Sequence, residues 1–142
     1  MRMKHTTLSP LSRHSQKVLA LLAKSDKPMS AYDLLDRLRR FGVKAPPTVY
    51  RALETLMERG LVHRIESLGA FVACHNCEED HAAAAQFAVC RSCGTAVEIL
   101  DRRLTALIRD IGKTMKFHIE REMLEVLGVC ARCDRKTRPA GA

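Results

Sequence analysis

The chain reads as α+β, a three-helix unit with a β-hairpin followed by a smaller strand–helix–strand unit. Three observations carry this. Helical apolar periodicity recurs three times before residue 60, two short β-type runs flank Gly69, and two Cys-x-x-Cys pairs bracket a further helical segment. At 142 residues the chain has room for one ordinary domain or two small ones, each short of the size at which a core alone is comfortably stable.

Leu11, Val18, Leu19 and Leu22 fall on one face of a first helix, from about Ser12 to Lys24, which the pair Lys27-Pro28 ends. Ser30 is placed to cap a second helix, with Asp33 complementing its N-terminal partial charge and Leu34, Leu35 and Leu38 forming its apolar stripe. Gly42 supplies the stop. In APPTVYRALETLMERG, Pro46 and Pro47 suit the entry of a third helix and Gly60 its exit. Val49, Ala52, Leu53, Leu56 and Met57 make its buried side, leaving Thr48, Tyr50, Arg51 and Thr55 on the other. LVHRIES and AFVAC then form a hairpin wing, completing a winged helix-turn-helix.

The third helix of such a unit can enter the DNA major groove with its first turns facing base edges. Arg51 suits a guanine edge or a phosphate, and Tyr32, near the start of the second helix, suits a sugar, a base or half-buried packing. Charge agrees with a polyanionic partner. The net charge of +8 is concentrated in residues 1–66, with 13 Lys and Arg against 6 Asp and Glu, whereas the remainder has 11 against 10. No apolar run is long enough to span a membrane, and the opening MRMKHTTLSP lacks the apolar centre of a secretory signal, so the expected location is cytoplasmic with no membrane partner. In that reducing setting six cysteines point to metal or redox chemistry rather than disulfides.

CRSC at Cys90 and Cys93 and CARC at Cys130 and Cys133 supply four thiolates at the spacing of a closed structural zinc site. A dithiol redox centre explains one such pair but not two. Zinc here ties the β-runs FAVC and TAVEIL to the far end of the chain. Between the pairs, Leu104, Leu107, Ile108 and Ile111 mark a helix and EREMLEVLGVC a third strand, whose outer surfaces suit self-association. The expected plan is a winged-helix DNA-binding domain over residues 1–73 and a dimerisation and metal-binding domain over 74–142, with a hinge at about 74–86.

The stretch FVACHNCEEDH crowds further donors between the two units. His63 and Cys74 lie on the wing or at its exit, His81 follows within loop reach, and Glu98 lies just after the CRSC pair, which makes the four candidates for a tetrahedral N/S/N/O site spanning the halves. An enzyme is not expected. A zinc hydrolase or deaminase needs an open metal position and a general acid, and the deaminase pairing of H-x-E with P-C-x-x-C is missing. A purely structural zinc-ribbon adaptor leaves the basic half and the hinge donors idle.

The stretch SAYDLLDRLRRFGVKAPPTVYRALETLMERGLVHRIES, together with FAVCRSCGTAVEIL and GVCARC, resembles the ferric-uptake-regulator superfamily, and most closely its zinc-uptake-regulator branch, from about Val18 to Cys133. The resemblance implies a homodimeric repressor of zinc-uptake genes that binds an AT-rich inverted repeat in double-stranded DNA when zinc-loaded. It implies one structural zinc on Cys90, Cys93, Cys130 and Cys133 and one regulatory zinc on His63, Cys74, His81 and Glu98 in each monomer. Tyr32 and Arg51 match the base-contacting positions, with Tyr50 and Thr48 beside Arg51 on the recognition helix. An iron- or peroxide-responsive member is the alternative, and it predicts a site without Cys74. His75 and Cys77 match no ligand of the family, and Glu122 stands where many iron-type members carry histidine.

Overall fold

The computed structural model describes residues 9–75 and 84–138. Its elements are α1 (Arg13–Ala23), β1 (Met29–Ser30), α2 (Ala31–Leu38), α3 (Pro46–Glu58), β2 (Val62–Ile65), β3 (Ala70–Ala73), β4 (Ala84–Cys90), β5 (Ala96–Glu98), α4 (Arg102–Thr114), β6 (Glu122–Gly128) and α5 (Ala131–Thr137). Short 3-10 turns at Arg39–Phe41 and Glu66–Leu68 join α2 to α3 and β2 to β3.

The three expected helices form where their start signals lie. Ser12 caps α1 by accepting from the Ser15 amide. Ser30 and Asp33 form a reciprocal capping box, each side chain accepting the other's backbone N–H at 3.0–3.1 Å. Gly42, at φ 85°, closes the turn after α2 in a left-handed conformation that costs other residues more. Val18, Leu34, Leu38, Val49, Leu53, Leu56 and Val62 are essentially sealed from solvent in one core. The wing gains a strand that its pattern did not announce. Met29 pairs with Phe71 and Ser30 with Ala70, giving an antiparallel sheet of order β1-β3-β2.

The second sheet has the order β5-β4-β6, with β4 antiparallel to β5 and parallel to β6. The parallel pairing requires a crossover, and α4 supplies it. The pleat of β4 divides its neighbours. Ala85, Phe87 and Val89 form an apolar cluster with Ile65 of the wing, packed by Leu68, Val72 and Ala96. On the opposite face the Gln86 side-chain amide donates to the Glu122 carboxylate and to the Thr105 hydroxyl, so the buried polar pair is mutually satisfied and tied to α4. Beside it Ala88 lies level with Val97 and Val126, which are 59 % and 51 % exposed.

Two further features differ from the sequence expectation. The apolar stripe of α4 is incompletely covered, with Leu107 and Ile111 exposed. The seven-residue α5 was not foreseen, being too short to establish a period.

The capping box yields the first prediction. Ser30→Ala should destabilise the helical core by about 0.5–2 kcal/mol, measured by urea unfolding. The Ser30 hydroxyl, and then its amide, hold the Asp33 carboxyl below its ordinary value of 3.8. Because the folded pKa is the lower one, the stabilisation is complete above 3.8 and fades as pH falls through the folded value, so the cost of Ser30→Ala should shrink in acid.

Candidate metal centres and nucleic-acid interface

Cys90 ends β4, Cys93 follows in the turn to β5, and Cys130 and Cys133 cap and open α5. This arrangement brings the ends of the second sheet together. One sulfur from each of the four lies within 4.8 Å of every other, and Cys93 Sγ is 3.9 Å from Cys130 Sγ. A tetrahedron with metal–sulfur bonds of about 2.3 Å has edges of about 3.8 Å, so the spacing fits a zinc ion. The Cys130 amide donates to Cys90 Sγ at 3.3 Å, a backbone bond suited to a thiolate.

Two of the thiols, Cys93 and Cys133, are shifted in opposite directions. The Thr95 hydroxyl, 3.1 Å away, and the Thr95 amide pull the Cys93 thiol down to about 5. Hydrogen bonding to Cys130, followed by burial, pushes Cys133 up to about 12. Negative charge thus collects on part of the cluster, since four thiolates cannot ionise side by side without a cation. A dication removes that conflict, and the donor set fits one.

The second cluster joins the two sheets. The ligand atoms of His63 on β2, Cys74 at the end of β3 and Glu98 on β5 lie within 4.8 Å of one another. His63 is buried and leans on Phe87, with ring centroids 5.7 Å apart. Burial, and then the Arg121 charge, lower the imidazole pKa, so its neutral form, with a nitrogen lone pair free for a metal, prevails at neutral pH. An imidazole, a thiol and a carboxylate fit zinc, with the thiol disfavouring ferrous iron. His81 lies outside the described residues, so three of the four expected donors are brought together. Cys77 also lies outside them, and His75 is exposed beside Cys74.

The nucleic-acid candidates sit on α2 and α3. Val49, Ala52, Leu53 and Leu56 turn one side of α3 into the core, which leaves Tyr50 and Arg51 exposed and Thr48 half-buried. Tyr32, in the first turn of α2, is 79 % exposed, which excludes the packing role for its ring. Arg51 and Thr48 line an open cleft of about 310 Å³ between α1 and α3, with Ser12, His14, Ser15 and Thr55. His14 and Ser12 escaped the sequence reading because only the packing of α1 on α3 brings them beside Arg51.

A helix-turn-helix with a wing, followed by a sheet closed by four thiols, defines a metal-dependent regulator class. The ferric uptake regulator family model matches residues 10–127, and the chain belongs to that family. It is 38 % identical over 118 residues to the zinc uptake regulation protein of Escherichia coli K12, covering 82 % of this chain and 68 % of that protein. It is 30 % identical over 123 residues to the zinc uptake regulation protein of Mycobacterium tuberculosis H37Rv, covering 86 % and 92 %. Among solved structures it resembles a zinc uptake regulator complexed with zinc and DNA, with TM-score 0.81 at 34 % identity over 89 % of this chain and 85 % of that one. It also resembles holo XcZur, with TM-score 0.79 at 42 % identity over 88 % and 86 %.

Cys93→Ser should lose the metal of the four-thiol centre and lower the thermal midpoint of the second sheet, leaving the α1–α3 core folded. Metal content and circular dichroism during heating would check this. Full metal occupancy at that centre in the variant would reject the ligand assignment.

Proposed function

We propose that the chain is a zinc-responsive DNA-binding repressor of zinc-uptake genes, acting as a homodimer in the cytoplasm. Residues 1–73 serve as the winged-helix DNA-binding domain and residues 74–142 as the dimerisation and metal-binding domain; of the expected hinge at about 74–86, residues 84–86 belong to the paired strand β4, so the hinge falls between β3 and β4. The observation that carries this reading is the meeting of His63 and Cys74 from the wing with Glu98 from the second sheet. The likeness to the regulator complexed with zinc and DNA supports it. Cys74 disfavours the iron- or peroxide-responsive alternative.

In this reading Cys90, Cys93, Cys130 and Cys133 hold a structural zinc, and His63, Cys74, His81 and Glu98 a regulatory one. Bound at the second set, zinc supplies a cross-link between the wing and the sheet of β4–β6. His63 offers its lone pair from a buried, uncharged ring, while Cys74 and Glu98 contribute the negative charge. Fixing these three side chains fixes β2 and β3, and with them the direction in which α3 points. Arg51 and, from the start of α2, Tyr32 then meet bases, with Tyr50 and Thr48 beside Arg51 on the same helix. A two-fold dimer presents two such helices to an inverted repeat. The exposed row Val97–Ala88–Val126 and the open side of α4 at Leu107 and Ile111 supply apolar surface for the second copy.

The test is zinc per protomer alongside binding to an AT-rich inverted repeat as free zinc is raised from a buffered low level. One tightly held zinc throughout, with further zinc switching on DNA binding, is the expected result; DNA binding indifferent to zinc overturns the proposal. Cys74→Ser should retain the four-thiol metal and lose the response. Arg51→Ala should leave metal content intact and weaken specific binding by about 1–3 kcal/mol, read by titration of the operator against a scrambled duplex.

A further inference from the structure

The Glu125 carboxylate of β6 accepts hydrogen bonds from two consecutive wing amides, those of Glu66 and Ser67, the latter at 3.1 Å. These amides open the 3-10 turn between β2 and β3, where the chain's own hydrogen bonding leaves N–H groups without helical partners. The two sides of this contact are 58 and 59 residues apart in sequence. Burial alone would raise the Glu125 pKa, but the Ser67 hydroxyl, with the Ser67 and Glu66 amides, outweighs it and holds the carboxyl below its ordinary value. The charged form is therefore the one the wing grips.

Its position in the sheet adds the second part of the argument. Phe87 on the central strand is level with Glu98 on one side and Glu125 on the other. The row Glu98–Phe87–Glu125 therefore faces the wing with a carboxylate at each end. Glu98 reaches the cluster with His63 and Cys74, Phe87 touches the His63 ring, and Glu125 takes the turn after Ile65. Strand β2 is thus held at two points about three residues, or about 10 Å, apart. Only the Glu98 end involves metal donors.

We propose that Glu125 is a positioning residue that holds the wing against the second sheet independently of metal and so sets the zinc concentration at which the hinge site fills. This rests on the reading of His63, Cys74 and Glu98 as a regulatory zinc site. Three donors from two sheets bind a cation tightly only if they are already close; otherwise binding must also supply the ordering of one half on the other. Glu125, with the apolar contact of Ile65 on Phe87, meets that cost beforehand. Without the carboxylate the open arrangement gains population and the apparent affinity falls by that fraction, while saturating zinc restores the docked arrangement.

The experiment compares the full-length protein with Glu125→Ala and Glu125→Gln, recording zinc-dependent operator binding and amide hydrogen exchange at Glu66 and Ser67. In the wild type both amides should be protected without regulatory zinc. In Glu125→Ala they should exchange faster, and the midpoint for zinc-induced DNA binding should rise at least about fivefold, the low end of ordinary allosteric couplings. Metal content at the four-thiol centre and DNA affinity at saturating zinc should stay at wild-type levels. Glu125→Gln, which keeps the shape and one acceptor oxygen, should fall between the two and guards against a folding defect in the alanine variant. An unchanged midpoint in both variants, or DNA affinity that stays low at saturating zinc, overturns the positioning role. A wild-type protein that binds DNA without regard to zinc instead overturns the functional reading on which it rests.

Discussion

Everything that joins the two halves depends on covering one face of β4. Ala85, Phe87 and Val89 project from that face, and the wing residues Ile65, Leu68 and Val72 cover them. Burying a side chain of the size of Phe87 is worth about 1.5–3 kcal/mol, more than an exposed ion pair usually contributes. Because strand neighbours share a face, the same docking turns Glu98 and Glu125 toward the wing. The polar contacts are placed by the apolar one, and they add direction to an attraction that has none of its own.

The two donor clusters accordingly have different physical characters. Cys90, Cys93, Cys130 and Cys133 all belong to the second sheet and the helix that follows it, so a metal there closes a unit with a thin core. Its neighbours are local: the Cys130 amide and the Thr95 hydroxyl belong to the same turns as the ligands. His63, Cys74 and Glu98 come from separate sheets, and their separation depends on how the sheets lie on one another. Any ligand that prefers one separation favours one arrangement of the halves, which is the requirement for a switch.

The candidate nucleic-acid face has no such dependence on the second sheet. Tyr50 and Arg51 are exposed because Val49, Ala52 and Leu53 on the same helix are buried, and the core of the first three helices decides that unaided. In the proposed switch, a change between the halves therefore reorients an intact surface. Apolar exposure on α4 and along Val97–Ala88–Val126 is of another kind, since a protomer that leaves both uncovered has surface suited to a second copy.

The sequence by itself determined the four longer helices, the hairpin of the wing and the thiol cluster, because each rests on local periodicity, on caps such as Ser30 and Gly42, or on fixed Cys-x-x-Cys spacing. It also singled out His63, Cys74 and Glu98, whose chemistry sets them apart from ordinary core residues. The strand at Met29–Ser30 and the helix at Ala131–Thr137 were too short for a periodic signal. Glu125 was indistinguishable in sequence from any carboxylate on an alternating strand, and His14 from any surface histidine. Their surroundings come from chain segments far away in sequence: the register of β6 against β4 puts Glu125 beneath the wing, and the packing of α1 on α3 puts His14 beside Arg51. Only the tertiary structure decided those contacts, since hydrogen bonds and apolar docking between distant segments form after local preferences have been satisfied.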